Sequence, residues 1–408
     1  MLLRVWIDKV SFFLCVVKVL ILHQHFKSPQ KGGAIRSYYL AKALVDHGIQ
    51  AVVITGSNEK KYRSEVLDGI EVHHLPIAYE NSFGFAKRSI SFLIYIWKSI
   101  QLAKKIPDVS ICYAISTPLT VGLAAIRLKS KFNLPYIFEV GDLWPDAPVQ
   151  MGFVKNYFLS SILFRMERAI YKDADSIVAL SQPIKEAIEK KISGKKIHIL
   201  PNFADIDFYK PEIRNPALEE KYSVTGKFIV SYIGAIGVAN GLDYLIECAN
   251  ASRKAKLPIH FILCGEGAML NHLKSSAQKL KLKNISFTGF IDRNTVKEIM
   301  NITDSVFVCY KNVPILETGS PNKYFDALAS GKLIITNFGG WIKDEIAKMQ
   351  CGISVDPRHP TDFVKKIEPF LSDRKKLVLH QQASRKLAEE KYHRQKLSSQ
   401  FADIFKKR

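Results

Sequence analysis

Phe228-Ile-Val-Ser-Tyr-Ile233 runs without a break into Gly234-Ala-Ile-Gly237-Val-Ala-Asn-Gly241-Leu-Asp243. A continuous apolar run, a glycine-rich turn and a helix-length segment read as a buried parallel strand feeding a helix. Such a turn lets a diphosphate approach backbone amides at the positive end of the helix. The string is not Gly-x-Gly-x-x-Gly, and no Gly-Lys-Ser/Thr accompanies it. The junction therefore marks an α/β sheet without specifying a dinucleotide or a nucleoside triphosphate.

The same alternation extends both ways. Strand-like runs precede it at Val17–Leu22, Gln50–Thr55, Val109–Ala114, Tyr136–Glu139 and Ser176–Leu180. Others follow at His260–Cys264, Ser286–Phe287, Ser305–Cys309 and Leu333–Thr336. Pro201–Thr225, rich in Pro, Asp and Asn, separates the two groups, and Ser384–Arg408 reads as one long polar helix. A chain of 408 residues exceeds one ordinary core, so two open α/β sheets of Rossmann type are expected. Residues 1–16 read as an appended segment, either a start-site artefact or a short amphipathic membrane contact: the apolar stretch Phe12–Val17 is too short to span a membrane, and no small-residue cleavage site follows.

Composition narrows the partner. With 59 Lys+Arg against 38 Asp+Glu the net charge is +21, which calls for an anionic partner: nucleic acid, an acidic membrane or phosphorylated substrates. Residues 1–200 and 201–408 net +11 and +10, so there is no basic tail. Neither a recognition helix nor an RNP-like aromatic strand occurs, and no nucleic-acid partner is expected. A hydrophobic content of 47% excludes wholesale disorder. The cysteines at 15, 112, 248, 264, 309 and 351 lack metal-knuckle spacing and read as reduced buried thiols.

Ligands of open α/β sheets sit beyond the carboxyl ends of strands, so each strand-to-helix junction carries weight. Gly32-Gly33 opens the first helix. Glu139-Val-Gly-Asp142-Leu-Trp-Pro-Asp146 places carboxylates and an aromatic corner at a strand end, a pairing suited to sugar hydroxyls and apolar sugar faces. Cys264-Gly265-Glu266-Gly267 repeats the glycine turn. Glu317-Thr-Gly319-Ser320-Pro-Asn322-Lys323-Tyr-Phe-Asp326 opens another helix with a cation in its first turn, a place the helix dipole disfavours unless an anion binds there. Asp326 is placed to take a ribose diol. Asp173-Ala-Asp175 and Asp205-Ile-Asp207 do not end apolar strands, so no metal site is expected.

In order and spacing these motifs resemble the GT-B glycosyltransferases of the large retaining family four (glycosyl transferases group 1). The supporting set includes Tyr171-Lys-Asp-Ala-Asp-Ser-Ile-Val-Ala-Leu-Ser181, Leu200-Pro-Asn-Phe-Ala-Asp205, Phe287-Thr-Gly289 and Ala329-Ser-Gly331. Asp142-Leu-Trp-Pro-Asp with Pro-Asn-Lys is most similar to the bacterial surface-polysaccharide L-fucosamine transferase type. The resemblance implies an acceptor-side domain over 1–205 and a nucleotide-sugar domain over 206–383. It also implies a deep cleft between them and a helix over 384–408 crossing back to the first domain.

Site roles follow from the resemblance. Asp142, Lys323 and Glu317 are the catalytic candidates. Gly33, Gly234, Gly237, Glu266, Phe290, Ile291, Ser320, Asn322 and Asp326 are the donor-binding candidates, with Phe290 and Ile291 where the backbone reads the nucleobase. The family's His beside Asp142 is Gly141 here. Its usual Arg and Lys after the glycine-rich strand are Ala235 and Asn240, which leaves Lys323, helped by Arg36 or Arg293, to face the diphosphate.

The expected activity moves a sugar, without metal or cofactor, from a nucleotide-sugar (UDP ahead of GDP) to a polyprenyl-diphosphate-linked glycan of bacterial surface polysaccharide. An isomerase of the UDP-N-acetylglucosamine 2-epimerase type is the alternative on the same fold. Residues 83–105, helical in period with Phe85, Phe92, Ile96 and Trp97 beside basic residues, are expected to contact an anionic membrane surface. That would make the protein cytoplasmic, peripheral on the inner face of the cell membrane.

Overall fold

The computed structural model describes residues 17–31, 35–80 and 83–406. The readings of residues 1–16 and of Gly32 and Gly33 lie outside the described residues.

The first sheet holds β1 (Lys18–Leu22), β2 (Gln50–Ser57), β3 (Arg63–Leu67), β4 (Ile70–Pro76), β5 (Ile111–Ile115), β6 (Tyr136–Val140), β7 (Ser176–Ala179) and β8 (Ile197–Ile199), in the order 3-4-2-1-5-6-7-8. Among the described strands only β3 runs antiparallel, against β4. The second holds β9 (Phe228–Ile233), β10 (Ile259–Cys264), β11 (Ile285–Gly289), β12 (Ser305–Val308), β13 (Leu333–Thr336) and β14 (Gly352–Ser354), ordered 11-10-9-12-13-14. Its strands pair in parallel throughout. Each order reverses once, between β1 and β5 and between β9 and β12; these are the switch points where crevices open. Strands β3, β4, β8 and β14 have no counterpart among the apolar runs of the sequence. β3, β8 and β14 are edge strands, with one side unpaired and residues only half-buried or exposed, so no continuous apolar signal marks them. β4 is internal and largely buried, but Glu71, His73 and His74 break its apolar run.

Helices connect the strands. Around the first sheet lie α1 (Arg36–Asp46), α2 (Phe85–Ala103), α3 (Val121–Phe132), α4 (Asp146–Gln150), α5 (Tyr157–Asp173) and α6 (Gln182–Glu189). Then come α7 (Pro216–Lys221), α8 (Asp243–Lys254), α9 (Leu270–Lys279), α10 (Arg293–Ile302), α11 (Asn322–Ala329), α12 (Trp341–Lys348), α13 (Pro360–Ser372), α14 (Arg374–Glu390) and α15 (Arg394–Lys406). Several start on side-chain caps: Asn156, Ser181, Asp292 and Asp373 accept from amides in the first turns of α5, α6, α10 and α14.

Two expectations need correction. The single helix from Ser384 is two, broken at Lys391-Tyr-His393. Ala204 N donates to Tyr392 O at 2.7 Å and Arg394 N donates to Ala204 O at 3.1 Å, so the break is stitched to the interdomain segment. Helix α15 then lies on α1, with Phe401 and Phe405 edge-on to Tyr113 at 4.8 and 6.0 Å. The second correction concerns α2. Phe92 stacks on Tyr79 at 5.7 Å and Ile96 packs on the core, so neither is on the outer face. The outward residues are Ile90, Leu93, Ile94 and Trp97.

One apolar cluster runs from Val19 and Tyr113 through Leu200, Phe203 and Tyr209 to Phe325 and Phe401. The two sheets thus share a continuous core at their junction.

Candidate active site

The second sheet's switch point is built by stacked turns. Gly234 has φ +148°, and its N–H donates to Cys264 O at 3.0 Å. Ile236 N donates to Glu266 O at 2.8 Å, so the turns after β9 and β10 lie face to face. A Cβ on Gly265 would overlap the Gly234 carbonyl, so only glycine fits this approach. Gly237 is less open than its motif suggests: its N–H donates to Asn240 Oδ1 at 3.2 Å, and Asn240 thereby closes the turn.

Lys323 lies over this switch point from the first turn of α11. Its ammonium sits 5.0 Å from the Tyr232 ring, on β9, and 5.1 Å from the Tyr310 ring, just past β12. Among the described residues no carboxylate pairs with it. Burial lowers its pKa to about 8. A desolvated cation held by two ring faces, beside a glycine turn and a helix N-terminus, is arranged for an anion. One turn on, burial pushes the Asp326 carboxyl up to about 7; Arg293 opposes the shift and Asp205 adds to it. Phe290 is exposed after β11, while Ile291 packs against a small cluster containing Cys264.

The first domain supplies the opposite wall. Asp142 follows β6, and desolvation raises its pKa. Its Oδ1 lies 3.9 Å from where a Cβ would sit on Gly319, which places the carboxylate against the second domain. Asp142 also bears on Tyr310, the residue under Lys323. Gly141, standing where the family's His would be, donates its N–H to Ser116 Oγ at 2.9 Å. His23, at the end of β1, has Nδ1 2.8 Å from Ser37 Oγ, and burial followed by the charge of His25 lowers its pKa to about 3. Asp146 is committed to an ion pair with Lys191, which also holds Glu167 at 2.8 Å and so anchors α4.

The segment from Pro314 to Ser320 straps the domains together. Three successive carbonyls are held by three side chains. Ser181 Oγ donates to Thr318 O at 2.6 Å, Trp341 Nε1 to Gly319 O at 2.9 Å and Asn202 Nδ2 to Ser320 O at 2.5 Å. Ser181 and Asn202 belong to the first domain's side of the junction. Ser320, expected beside the phosphate, is therefore buried in this strap. Glu317 turns toward the segment before α12, where Gly339 N donates to its Oε1 at 3.3 Å.

Of the residues singled out from sequence, the structure gathers Gly234 and Lys323 at the turn after β9, with Lys323 over the Tyr310 ring on which Asp142 also bears. Glu317 and Ser320 serve the strap, the Gly237 amide is capped, and Glu266 and Asn322 stand exposed at the turn after β10 and the head of α11. Neither proposed helper of Lys323 is free. Arg36 is buried against Glu139, with Nη2 2.9 Å from Oε2, and donates to the carbonyls of Leu200 and Pro201. Arg293 pairs with Asp205 and stacks 3.7 Å from the Phe208 ring centre. Tyr310, Ser181 and Asn202 were not singled out as site residues, although Tyr310 and Ser181 each follow an apolar strand run and Ser181 and Asn202 lie within the motifs that carry the resemblance. Asp205 and Asp207 are spent on ion pairs with Arg394, and among the described residues no group of three or more potential ligands could hold a metal ion.

Two parallel sheets of Rossmann type with a site at their facing edges define a GT-B glycosyltransferase fold. Residues 31–208 match the family model described as Glycosyltransferase Family 4, and residues 215–390 match Glycosyl transferases group 1. The chain belongs to these glycosyltransferase families, one in each domain. It is 26% identical over 240 residues to a Bacillus subtilis glycosyltransferase provisionally assigned to teichuronic acid biosynthesis, covering 58% of each chain. It is 27% identical over 174 residues to the Escherichia coli UDP-Gal:alpha-D-GlcNAc-diphosphoundecaprenol alpha-1,3-galactosyltransferase, covering 40% of this chain and 43% of that one. The match thus spans about half the length of these curated relatives. Among solved structures, sucrose-phosphate synthase from Thermosynechococcus elongatus superposes with TM-score 0.78 at 14% identity, covering 96% of this chain and 98% of that one. HepE of Anabaena in complex with UDP-glucose superposes with TM-score 0.71 at 17% identity, covering 96% and 100%.

Proposed function

We propose that the protein is a retaining glycosyltransferase of bacterial surface-polysaccharide synthesis. It moves a sugar from a nucleotide-sugar, UDP ahead of GDP, to a polyprenyl-diphosphate-linked glycan. One observation carries the reading: Lys323, partly desolvated and without a carboxylate partner among the described residues, at the switch point of the second sheet and opposite Asp142. The UDP-glucose complex of HepE and the lipid-diphosphate acceptor named for the Escherichia coli relative support the donor and acceptor classes.

The donor's diphosphate lies against Gly234 and the N-terminus of α11, and the ribose reaches toward Asp326. The bond between the sugar's anomeric carbon and the diphosphate oxygen breaks, and negative charge grows on the leaving phosphate. Lys323 and the α11 dipole stabilise that charge, and preorganised donors of this kind contribute about 10²–10³ in kcat. The acceptor hydroxyl attacks from the same face, and its proton passes to the departing phosphate oxygen. Asp142 orients the acceptor side of this exchange, and no strong base is needed. Positive charge comes from the protein, so chelation by EDTA is expected to leave turnover unchanged.

The acceptor is membrane-borne, and the first domain meets it through residues 83–105. On α2, Ile90, Leu93, Ile94 and Trp97 form an outward stripe at helical spacing, next to the cation Lys87. No helix among the described residues is long and apolar enough to cross a membrane. The protein works as a peripheral enzyme of the inner membrane face.

The test is nucleotide release from a panel of UDP- and GDP-sugars, with and without polyprenyl-diphosphate glycan. Acceptor-dependent release, with product anomeric configuration matching the donor's, is expected. Release without acceptor, accompanied by an epimerised sugar, would establish the isomerase instead.

A further inference from the structure

A second exposed apolar patch lies beside the α2 stripe. Phe153 is exposed ahead of α5, and on α5 itself Tyr157 is 87% and Phe158 74% accessible, with Ile162 also exposed. Phe158, Ile162 and Arg165 fall at i, i+4 and i+7, on one face of the helix. The opposite face, with Ile170 and Tyr171, is buried in the first domain's core.

The two patches belong to one layer. Helices α2, α3 and α5 pack side by side on the same face of the first sheet: α2 on α3, and α3 on α5 so closely that a Cβ on Gly122 would come within 2.6 Å of Ile170 Cγ2. Between the apolar stripes α3 presents Arg127 and Lys131 outward. Helices α2 and α3 contain no acidic residue. The only carboxylates on α5 are Glu167, buried and paired with Lys191, and Asp173 at its far end. Exposed aromatics, outward cations and almost no carboxylate are the complement of an anionic lipid surface.

Both helices begin at the carboxyl edge of the sheet, the edge that carries Asp142. A ladder of rings also joins this layer to the crevice: Phe92 on α2 stacks on Tyr79 at 5.7 Å, and Tyr79 lies 4.4 Å from His25 just past β1.

We propose that the α5 knuckle (Phe153, Tyr157, Phe158 and Ile162) is a second membrane contact, acting with the α2 stripe. It rests on the α2 contact proposed above. Two parallel contacts flanking a cationic strip fix the roll of the domain on the bilayer. A single helix would leave the domain free to rotate about its axis. The cleft mouth then faces the lipid surface, where a lipid-linked acceptor presents its diphosphate.

The experiment is flotation of the full chain with vesicles of phosphatidylcholine alone and of an equimolar mixture with phosphatidylglycerol. Wild-type protein is expected to float with the anionic vesicles. Phe158→Ser with Ile162→Ser should lower the partition coefficient by about tenfold or more, as should Leu93→Ser with Trp97→Ser, because each removes large apolar side chains from the interface. All four positions are exposed, and circular dichroism and UDP-induced thermal stabilisation confirm that the variants fold. Wild-type partitioning by the α5 variant, while the α2 variant fails to bind, overturns the second contact. Equal binding to both vesicle types overturns the anionic character of the surface, whereas no flotation with either, or concentration-dependent self-association abolished by the α5 variant, overturns the membrane assignment in favour of another occupant. Intact vesicle binding without stabilisation by any nucleotide would instead defeat the transferase reading and leave the footprint standing.

Discussion

Lys323 Cε lies 3.3 Å from where a Cβ would sit on Gly234, so the head of α11 rests directly on the turn that ends β9. Side-chain charge and backbone approach are coupled at this point. Gly234→Ala would push the ammonium aside and force a φ of +148° on a residue with a Cβ, a strain of about 1–3 kcal/mol. Calorimetry with UDP-glucose is expected to show weaker binding than wild type. Lys323→Ala, which leaves the turn intact, should lower kcat by about 10²-fold or more. Near-normal turnover in that variant would remove Lys323 from the mechanism.

The ammonium must be protonated to attract a diphosphate. Burial holds its pKa at about 8, so UDP-glucose affinity should be level below that value and fall as pH rises through it. Lys323→Met should flatten the profile. The stability contribution has the opposite slope. The folded state sheds this proton before the unfolded chain does, so stability improves as pH rises from about 8 toward 10.5. Denaturant titrations across that range measure the slope.

Arg36 and Glu139 form a buried pair with Tyr113 donating to the same carboxylate. Removing one partner leaves a charge stranded in the core, at a cost of about 3–5 kcal/mol. Arg36→Met and Glu139→Gln are each expected to show a large loss in urea unfolding, and the double variant should recover part of it. A stable Arg36→Met protein with impaired donor binding would instead return Arg36 to the phosphate.

Asn202 joins the domains through Ser320. Asn202→Ala removes that hydrogen bond and leaves the Ser320 carbonyl unsatisfied in a buried setting, costing about 1–3 kcal/mol. A lowered midpoint of thermal unfolding, with donor KM raised as the strap loosens, is the expected result. An unchanged midpoint would show that the strap is held by Ser181 and Trp341 alone.

The strands of both sheets were legible wherever burial on two faces writes a continuous apolar run, as in Ile111–Ile115 or Phe228–Ile233. Edge strands such as Gly352–Ser354 were not, because one exposed flank erases the pattern. Lys323 and Gly234 were legible because each breaks a local rule: a cation in the first turn of a helix, a glycine at a strand end. The misassignment of Phe92 has an equally local origin. Helical period says which residues share a face, but its neighbours, here Tyr79, determine which face is covered.

Residue order alone therefore set two α/β domains and the strand ends at which chemistry could occur, since these follow from hydrophobic period and turn chemistry within a few residues. Partnership lay beyond it. Arg36 and Lys323 are both cations near helix starts, yet one is neutralised by Glu139, 103 positions away in sequence, and the other lies over the rings of Tyr232 and Tyr310 with no carboxylate paired to it among the described residues. Only the folded chain brings such distant groups together, and a cation's chemistry depends on whether a carboxylate reaches it first.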